Sequence, residues 1–249
     1  MNWLKEKEIL GKQLINELYE HGLIKTWYRD NPKGWKLISG VWSPFYIQLR
    51  QLVSYPKTFK KASEAIGLMI KNEAPHINRL IGVAMAGIPL AVGASLFLEL
   101  PLAFTRKFEG IKEVKELEIK ISEYGEHSLI EGELSSNDNI VIIDDLVTKF
   151  STKKIAIHQV QNEVNRQKIK NVSLRDVMVL LDREQGAREE AKINNINLYS
   201  IIDFKTSGVR WLKEKFSKIE YEVISEYLDF PEKFQNEDIQ SELSKSLLK

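Results

Sequence analysis

The apolar residues change their spacing from one segment of the chain to the next, and each spacing predicts a type of element. Between residues 3 and 20 they recur every three or four positions, which predicts an amphipathic helix. Residues 31–50 are aromatic and β-branched, with a Ser-Gly and a Ser-Pro break, which predicts a hairpin-like excursion. Residues 57–73 return to helical spacing. The N-terminal part is therefore predicted as a helix, a hairpin and a second helix.

Five short apolar runs follow, and helical segments separate most of them. The runs lie at residues 79–84, 101–106, 139–145, 172–184 and 198–203. Strands that are apolar throughout and alternate with helices are typical of a parallel sheet that is covered on both faces. We therefore expect an α/β protein with a five-stranded parallel sheet flanked by helices.

Two segments depart from this alternation. Residues 107–127 are charged and lie between the second and third predicted strands, so we expect a surface excursion there, either a hairpin or a mobile flap. Residues 231–249 are polar and rich in lysine and glutamate, which favours a loosely held tail or a short exposed helix.

The composition changes this picture only by exclusion. The 249 residues are 43% hydrophobic and 29% charged with a net charge of +1, which gives no reason to expect nucleic acid or a membrane as partner. The absence of cysteine excludes disulfides, thiol catalysis and cysteine-bound metals. The four histidines lie far apart, without metal-ligand spacing. No apolar run approaches the ~20 residues that span a bilayer, so we expect a soluble cytoplasmic protein.

The run at residues 139–145 ends in two adjacent acids, Asp144 and Asp145, and a hydroxyl-rich loop then leads into a predicted helix. Ligands of open parallel sheets bind at the carboxyl ends of strands, and a helix N-terminus offers free N–H groups to an anion. The candidate phosphate ligands are Thr148, Ser151 and Thr152. This pattern favours a sugar phosphate site. The alternative is that the acids only end a strand and a loop hydroxyl caps the helix.

The stretch VIIDDLVTKFST (141–152) resembles the phosphoribosyl pyrophosphate motif of type I phosphoribosyltransferases. Five further segments, in order along the chain, are similar to segments of orotate phosphoribosyltransferases. They are SGVWSPFYIQLRQLVSYP (39–56), IGVAMAGIPLA (81–91), FTRK (104–107), YGEHSLIEGEL (124–134) and VMVLLDREQGA (177–187). The collinear matches run from about residue 10 to residue 215 and are more specific than any single motif.

This resemblance implies the type I phosphoribosyltransferase fold as one domain over residues 1–230, with an N-terminal hood (1–55) and a mobile flap (107–127). It implies transfer of a phosphoribosyl group from phosphoribosyl pyrophosphate (PRPP) to orotate, giving orotidine 5′-monophosphate and pyrophosphate in the biosynthesis of UMP. It also implies Mg²⁺ that is carried by PRPP rather than held directly by the protein, and a homodimer.

The resemblance also assigns roles to individual residues. The catalytic positions are Asp144 and Asp145 at the ribose and Arg106 and Lys107 at the pyrophosphate. The substrate-binding positions are Lys36, Phe45, Tyr46, Thr148, Lys149, Ser151, Thr152 and Arg183. In this assignment the aromatic pair covers the orotate ring, the loop binds the 5′-phosphate, and the guanidinium of Arg183 suits a planar carboxylate.

The residues alone allow simpler explanations for several of these positions. Phe45 and Tyr46 are also typical of core aromatics, and Arg106 with Lys107 of a solvated strand end. Arg183 has an acid on either side in the chain, with which a surface ion pair would be equally natural. These alternatives remain open at the level of sequence.

Three positions depart from the family pattern. Phe150 stands where the loop normally has a glycine, and Ile38 where a lysine precedes Ser-Gly, so Lys36 is the nearest substitute on the same strand face. In the flap, Ser122 stands where a lysine is expected. Two hypotheses follow. The protein is a working orotate phosphoribosyltransferase with a rebuilt loop and flap, or it is a non-catalytic paralogue with a regulatory or assembly role.

Overall fold

The computed structural model describes residues 2–37, 40–111, 113–124 and 127–245, and the elements below lie within these ranges. The strands are β1 Ile24–Thr26, β2 Trp35–Lys36, β3 Trp42–Ser43, β4 Phe45–Ile47, β5 Arg79–Gly82, β6 Leu102–Thr105, β7 Ile130–Glu131, β8 Asn139–Val147, β9 Ser173–Asp182 and β10 Asn197–Asp203. The α-helices are α1 Trp3–Glu20, α2 Pro56–Glu73, α3 Gly87–Leu98, α4 Val114–Tyr124, α5 Ser151–Arg166, α6 Ala187–Ile193, α7 Val209–Trp211, α8 Lys218–Asp229 and α9 Glu237–Lys245.

The central sheet has the strand order β10-β9-β8-β5-β6-β7. The first five strands in this order are parallel, and they are the five that the apolar runs predict. The short strand β7 pairs antiparallel with β6 at the edge and adds a sixth strand. The α/β prediction with a five-stranded parallel core is confirmed, and the additional strand is the return of the charged excursion to the sheet.

Strand β8 shows why the sheet is apolar on both faces. Successive side chains of a strand point to opposite faces. Val141 and Ile143 contribute to the hydrophobic cluster that includes α1, α2 and α3, whereas Ile140 and Ile142 contribute to the cluster that includes α5 and α6. All four side chains are fully buried, so β8 is a central strand between two cores.

The N-terminal segment forms a small structure beside the sheet. Strand β1 pairs with β4 and strand β2 with β3, both antiparallel, which agrees with the predicted hairpin-like excursion. The C-terminal segment contacts this region: the ring of Phe234 is buried and stacks on Trp42 with centroids 6.4 Å apart. Residues 231–245 therefore include an anchored turn in addition to the exposed helix α9, and the short exposed helix was one of the two expectations for this segment.

The charged excursion differs from its predicted form. A hairpin was one expectation for residues 107–127, but the described part of this segment contains helix α4. Leu117 of this helix is fully buried, and the helix packs beside α5. A three-to-four residue apolar spacing (Val114, Leu117, Ile121) underlies the helix. Among the described residues, every helix is too short or too polar to cross a membrane.

Candidate active site

A cleft of about 270 Å³ opens where β8 ends. Three segments form it: the end of β8 with the loop and first turn of α5, the turn before α3, and the chain that leaves β4. The lining residues are Tyr46–Arg50, Ala84–Ala86, Asp144–Thr148 and Phe150–Lys153. The cleft therefore lies at the carboxyl edge of the parallel sheet, where open α/β folds bind their ligands.

A close approach between two backbones shapes the floor of the cleft. A Cβ on Gly87, at the start of α3, would lie 2.3 Å from the carbonyl oxygen of Ile143 and 2.9 Å from the Cα of Asp144. Glycine is thus required for α3 to begin this close to the two acids. The preceding turn contains a cis peptide bond between Ala84 and Met85, and the N–H of Ala84 donates to Thr105 Oγ1 at 3.0 Å.

The two acids differ in their surroundings. Asp144 is buried, and its Oδ2 accepts a hydrogen bond from Lys153 Nζ at 2.6 Å, while its Oδ1 accepts from the N–H of Asp145 at 2.9 Å. Asp145 is only partly buried. Burial first and the charge of Asp144 second raise the pKa of Asp145 to about 7, against the lowering effect of Lys153. The pair thus combines a fixed ion pair with a carboxyl group that titrates near neutrality.

The loop after the acids keeps the backbone shape that a glycine would allow. Phe150 has φ 68° and ψ −7°, in the left-handed region, and it is the N-cap residue of α5. Its ring is 1% exposed and packs into the cluster that contains Val147 and Ile157. The ring therefore lies in the core beneath the loop and leaves the cleft open. No side chain caps α5, so the alternative in which Ser151 or Thr152 caps this helix is wrong.

Without a cap, the first N–H groups of α5 face the cleft without helical partners. Ser151 and Thr152 are exposed, Thr148 is partly buried, and all three line the cleft as the sequence predicts. Lys149 is exposed on the loop but does not line the cleft. The helix end and the three hydroxyl groups form a site suited to a phosphate group.

Arg106 and Lys107 lie at a second cavity of about 200 Å³, at the end of β6. This cavity shares Arg50, Ala84 and Thr152 with the larger cleft, so the two are continuous. Arg106 is only partly exposed and forms an ion pair with a carboxylate of β7, whereas the Lys107 side chain is exposed. The simple interpretation of a solvated strand end therefore applies to Lys107 more than to Arg106.

Arg183 follows the last residue of β9, at the same edge of the sheet, and its N–H donates to the carbonyl of Val147 at 3.0 Å. Its side chain is 7% exposed, and the guanidinium lies 4.9 Å from the ring centroid of Phe45. Nε and Nη2 have no hydrogen-bond partner, and burial lowers the pKa of the group. A buried cation with two unused donors suits an anionic ligand.

The neighbouring acids do not supply that partner. Asp182 accepts from Arg188 Nε at 3.1 Å, and Glu184 accepts from the N–H of Thr206 at 2.8 Å. The alternative in which Arg183 forms a surface ion pair with one of these acids is therefore wrong, because both carboxylates face other partners.

Three predicted substrate-binding residues occupy different surroundings. Phe45 is fully buried between Phe204 and Tyr227, with centroids 5.2 and 5.7 Å away, so it is a core residue and its ring does not cover the cleft. Tyr46 lines the cleft and is 36% exposed. Lys36 is exposed on β2 and does not line the cleft. The position of Ile38, for which Lys36 was the suggested substitute, lies outside the described residues, as do Lys112 and Gly125 of the flap.

No family model matches the sequence. The orotate phosphoribosyltransferase of Methanosarcina mazei is 30% identical over 166 residues, which cover 67% of this chain and 78% of that protein. The chain belongs to the orotate phosphoribosyltransferase family. The orotate phosphoribosyltransferase of Methanosphaera stadtmanae is 29% identical over 198 residues, 78% of this chain and 95% of its own length. The structure of Leishmania donovani UMP synthase matches with a TM-score of 0.70 at 21% identity, over 88% of this chain and 42% of that one.

These findings confirm the family and the type I phosphoribosyltransferase fold that the motifs predict. The site of this orotate phosphoribosyltransferase family member also contains two residues that the motifs did not reveal, Arg50 and Lys153. Lys153 had a detectable signal, because a lysine in the first turn of a helix opposes the helix dipole and requires a local partner. Arg50 had none, because its exposed side chain reaches the cleft only through the path of the chain after β4.

Proposed function

We propose that the protein transfers the phosphoribosyl group of PRPP to orotate, forming orotidine 5′-monophosphate and pyrophosphate in UMP biosynthesis. Relatives that are named for this reaction support the proposal, and the observation that carries it is the unpartnered guanidinium of Arg183. Orotate is a flat anion with a carboxylate that a guanidinium binds through two parallel hydrogen bonds. The expected location is the cytoplasm.

The phosphoribosyl group has matching partners in the cleft at the end of β8, which Arg183 adjoins at the same edge of the sheet but does not line. The free N–H groups of α5 and the hydroxyls of Thr148, Ser151 and Thr152 suit the 5′-phosphate. The carboxylate of Asp145, the more exposed of the two acids, suits the ribose hydroxyls, which donate to it. Tyr46 is the aromatic residue placed to contact a base at the cleft. Holding both substrates at this edge of the sheet supplies the orientation on which group transfer depends.

The departing pyrophosphate requires positive charge. Arg50, Arg106 and Lys107 line the adjoining cavity and provide cationic side chains for it. Mg²⁺ is usually bound through substrate phosphates and one or two carboxylates, so we propose that it enters the cleft together with PRPP. Asp145 is the more exposed carboxylate of the cleft in which the PRPP-bound ion would lie. When bound, Mg²⁺ would neutralise charge that develops on the pyrophosphate.

The loop bears on the choice between an enzyme and a non-catalytic paralogue. One of the three departures behind the paralogue hypothesis was Phe150, which could fill the phosphate space, and the ring is instead buried in the core. The cleft, the helix end and the acids remain available. The relatives reported above are named as enzymes, and nothing in them favours a regulatory role.

The reaction is tested directly by incubating the protein with Mg²⁺, PRPP and orotate, and separating products by liquid chromatography. We expect orotidine 5′-monophosphate from orotate and no nucleotide from uracil, which lacks the carboxylate. Arg183→Met should lower kcat/KM for orotate by about 10- to 100-fold, the usual worth of a hydrogen bond to a charged group. Arg175→Met is the control, since Arg175 is exposed at the opposite end of β9. Absence of product from the unaltered protein refutes the proposal.

Helix α3 supports the further proposal of a homodimer. Its sequence, GIPLAVGASLFL, contains no charged residue, yet Val92 and Leu96 are 40% and 77% exposed. An exposed apolar helix face on a soluble chain marks an interaction surface. Light scattering should give a dimer for the unaltered protein, a monomer for Leu96→Glu and a dimer for Ile193→Glu, a change at an equally exposed residue of α6. An unaltered protein that is monomeric at micromolar concentration excludes this interface.

A further inference from the structure

Lys153 is an unusual residue for its position. It lies in the first turn of α5 and is only 4% exposed. A cation at this end of a helix is opposed by the helix dipole, and its burial removes the hydration of the ammonium group. Both effects disfavour a lysine here, so a specific partner must offset them.

That partner is the first acid of the pair. Lys153 Nζ donates to Asp144 Oδ2 at 2.6 Å and to the carbonyl of Leu146 at 2.5 Å. The other oxygen of Asp144 accepts from the N–H of Asp145 at 2.9 Å. Both carboxylate oxygens of Asp144 therefore already accept a hydrogen bond from the protein, and its charge is neutralised by a buried ion pair.

Asp145 differs in each of these respects. Its side chain is more exposed, and among the described residues no cation lies within ion-pair distance of its carboxylate. It lines the same cleft as the phosphate loop. Two neighbouring carboxylates with full charges repel each other, and the ion pair of Asp144 relieves that repulsion.

We propose that Lys153 is a positioning residue that fixes and neutralises Asp144, so that Asp145 alone of the two acids binds the ribose hydroxyls of PRPP. The proposal rests on the proposed function and goes beyond it, because it divides the work between two adjacent acids. Lys153 does not contact the substrate. It acts through Asp144 and sets which carboxylate is available in the cleft.

The decisive comparison is between a neutral replacement of the ion pair and the loss of the second acid. Asp144→Asn combined with Lys153→Met removes both charges together, which buried ion pairs often tolerate. We expect its PRPP affinity, measured by isothermal titration calorimetry with Mg²⁺, to stay within about threefold of the unaltered protein. Asp145→Asn should weaken the affinity by about 10- to 100-fold, because charged hydrogen bonds to the sugar are lost.

The single variant Lys153→Met tests the positioning role itself. It leaves Asp144 charged, buried and beside Asp145, so we expect weaker PRPP binding by about 10-fold, a raised KM for PRPP and little change in kcat. Adding Asp144→Asn to it should restore the affinity. Lys154→Met is the matched control, since the neighbouring lysine pairs with Glu190 of α6 and should leave the affinity unchanged. Circular dichroism and thermal melting identify any variant that is unfolded at the assay temperature.

The outcomes separate this inference from the function on which it rests. If the double variant loses as much affinity as Asp145→Asn, Asp144 contacts the sugar and the inference is wrong. It is equally wrong if Lys153→Met binds PRPP as well as the unaltered protein does. Should Asp144→Asn/Lys153→Met fail to fold, Asp144→Asn/Lys153→Gln retains a donor at that position and carries the same expectation. An unaltered protein that neither binds PRPP nor forms product defeats the proposed function itself.

Discussion

The loop between β8 and α5 and the segment 107–127 line adjoining cavities, and both depart from the sequence pattern of their family. In the loop, Phe150 replaces a glycine, yet the backbone keeps a left-handed conformation and the ring is buried. In the segment 107–127, Ser122 departs from the family pattern, and helix α4 lies where a hairpin or flap was expected. The hydrophobic core beneath the loop explains the difference.

A core constrains what a substitution can do. The ring of Phe150 finds a place among Val147, Ile157 and their neighbours, and this burial offsets the roughly 1–2 kcal/mol that a left-handed conformation costs a residue with a Cβ. Helix α4 lies on the surface. Among its residues whose burial the structure describes, Leu117 is the hydrophobic side chain that is fully buried. The backbone conformation of the loop is therefore maintained by core packing. The type of element in segment 107–127 follows instead from the local spacing of its apolar residues.

The largest effect should come from removing the ring. Phe150→Ala deletes a buried aromatic side chain but keeps the strained backbone, so we expect the free energy of unfolding to fall by about 3–5 kcal/mol. Phe150→Gly loses the same ring but relieves the strain, and should be more stable than Phe150→Ala by roughly 1 kcal/mol. Urea unfolding followed by circular dichroism measures both values.

Activity sharpens this comparison. Since the ring is buried in the core beneath the loop, Phe150→Gly should not raise kcat/KM for PRPP at a temperature where the variant is folded. A large gain in activity would instead show that the ring obstructs phosphate binding, and this argument for the paralogue hypothesis would be restored.

The next effect concerns pH and distinguishes the charges of the loop region from those of α4. The pKa of Asp145 is raised from 3.8 in the unfolded chain to about 7, so the folded protein binds this proton more tightly. The contribution of this carboxyl group to the free energy of unfolding is fully present below pH 4 and is lost as the pH rises through 7. Asp145→Asn removes the carboxylate charge. The resulting gain in the free energy of unfolding of the ligand-free protein should be larger at pH 8 than at pH 5.5 by about 2 kcal/mol.

Urea unfolding at the two pH values tests this expectation, with Glu118→Gln as the control at an exposed carboxylate of α4. Equal stabilisation by Asp145→Asn at both pH values would mean that the carboxyl group titrates near its ordinary pKa. PRPP affinity should rise over the same range in the unaltered protein, because only the ionised carboxylate accepts from two ribose hydroxyls.

The sequence predicted the elements whose periodicity is strong and missed features that depend on the direction of a side chain. All five parallel strands and helices α1, α2 and α5 follow from apolar spacing alone. The aromatic pair shows the limit. Phe45 and Tyr46 are adjacent on a strand and face opposite sides, so only one of the two rings could face the cleft, and the sequence does not say which.

The site residues show the same limit. Asp144 and Asp145 were recognisable from the apolar strand residues that precede them, but the partner of Asp144 lies nine positions later and reaches it only because α5 starts at the edge of the sheet. Likewise, two acids beside Arg183 in sequence suggested an ion pair, whereas the fold directs them to other donors. Side-chain pairs between different elements can therefore be identified only from the three-dimensional structure.

A smaller effect on global stability is expected from the core contact of α4. Leu117→Ala should lower the free energy of local unfolding of α4 by about 2–5 kcal/mol. It should lower the free energy of global unfolding by less than about 1 kcal/mol, because a surface helix can unfold by itself. Amide hydrogen exchange should show lost protection over residues 114–124 and unchanged protection in β8. Ile119→Ala, at a position that is 63% exposed on the same helix, is the control. A global loss comparable to that of Phe150→Ala would place α4 within the core unit.

The smallest effect should come from an exposed lysine of α4, in contrast to the buried lysine of α5. Lys115 is exposed, and its charge is screened by solvent, so Lys115→Ala should change the free energy of unfolding by less than about 0.5 kcal/mol. Lys153→Met leaves a buried carboxylate without its partner and should cost about 3–5 kcal/mol. Urea unfolding at low and high salt compares the two, and salt should leave the larger loss nearly unchanged. A loss above about 1 kcal/mol for Lys115→Ala would show that the charges of α4 are engaged as firmly as those of the loop.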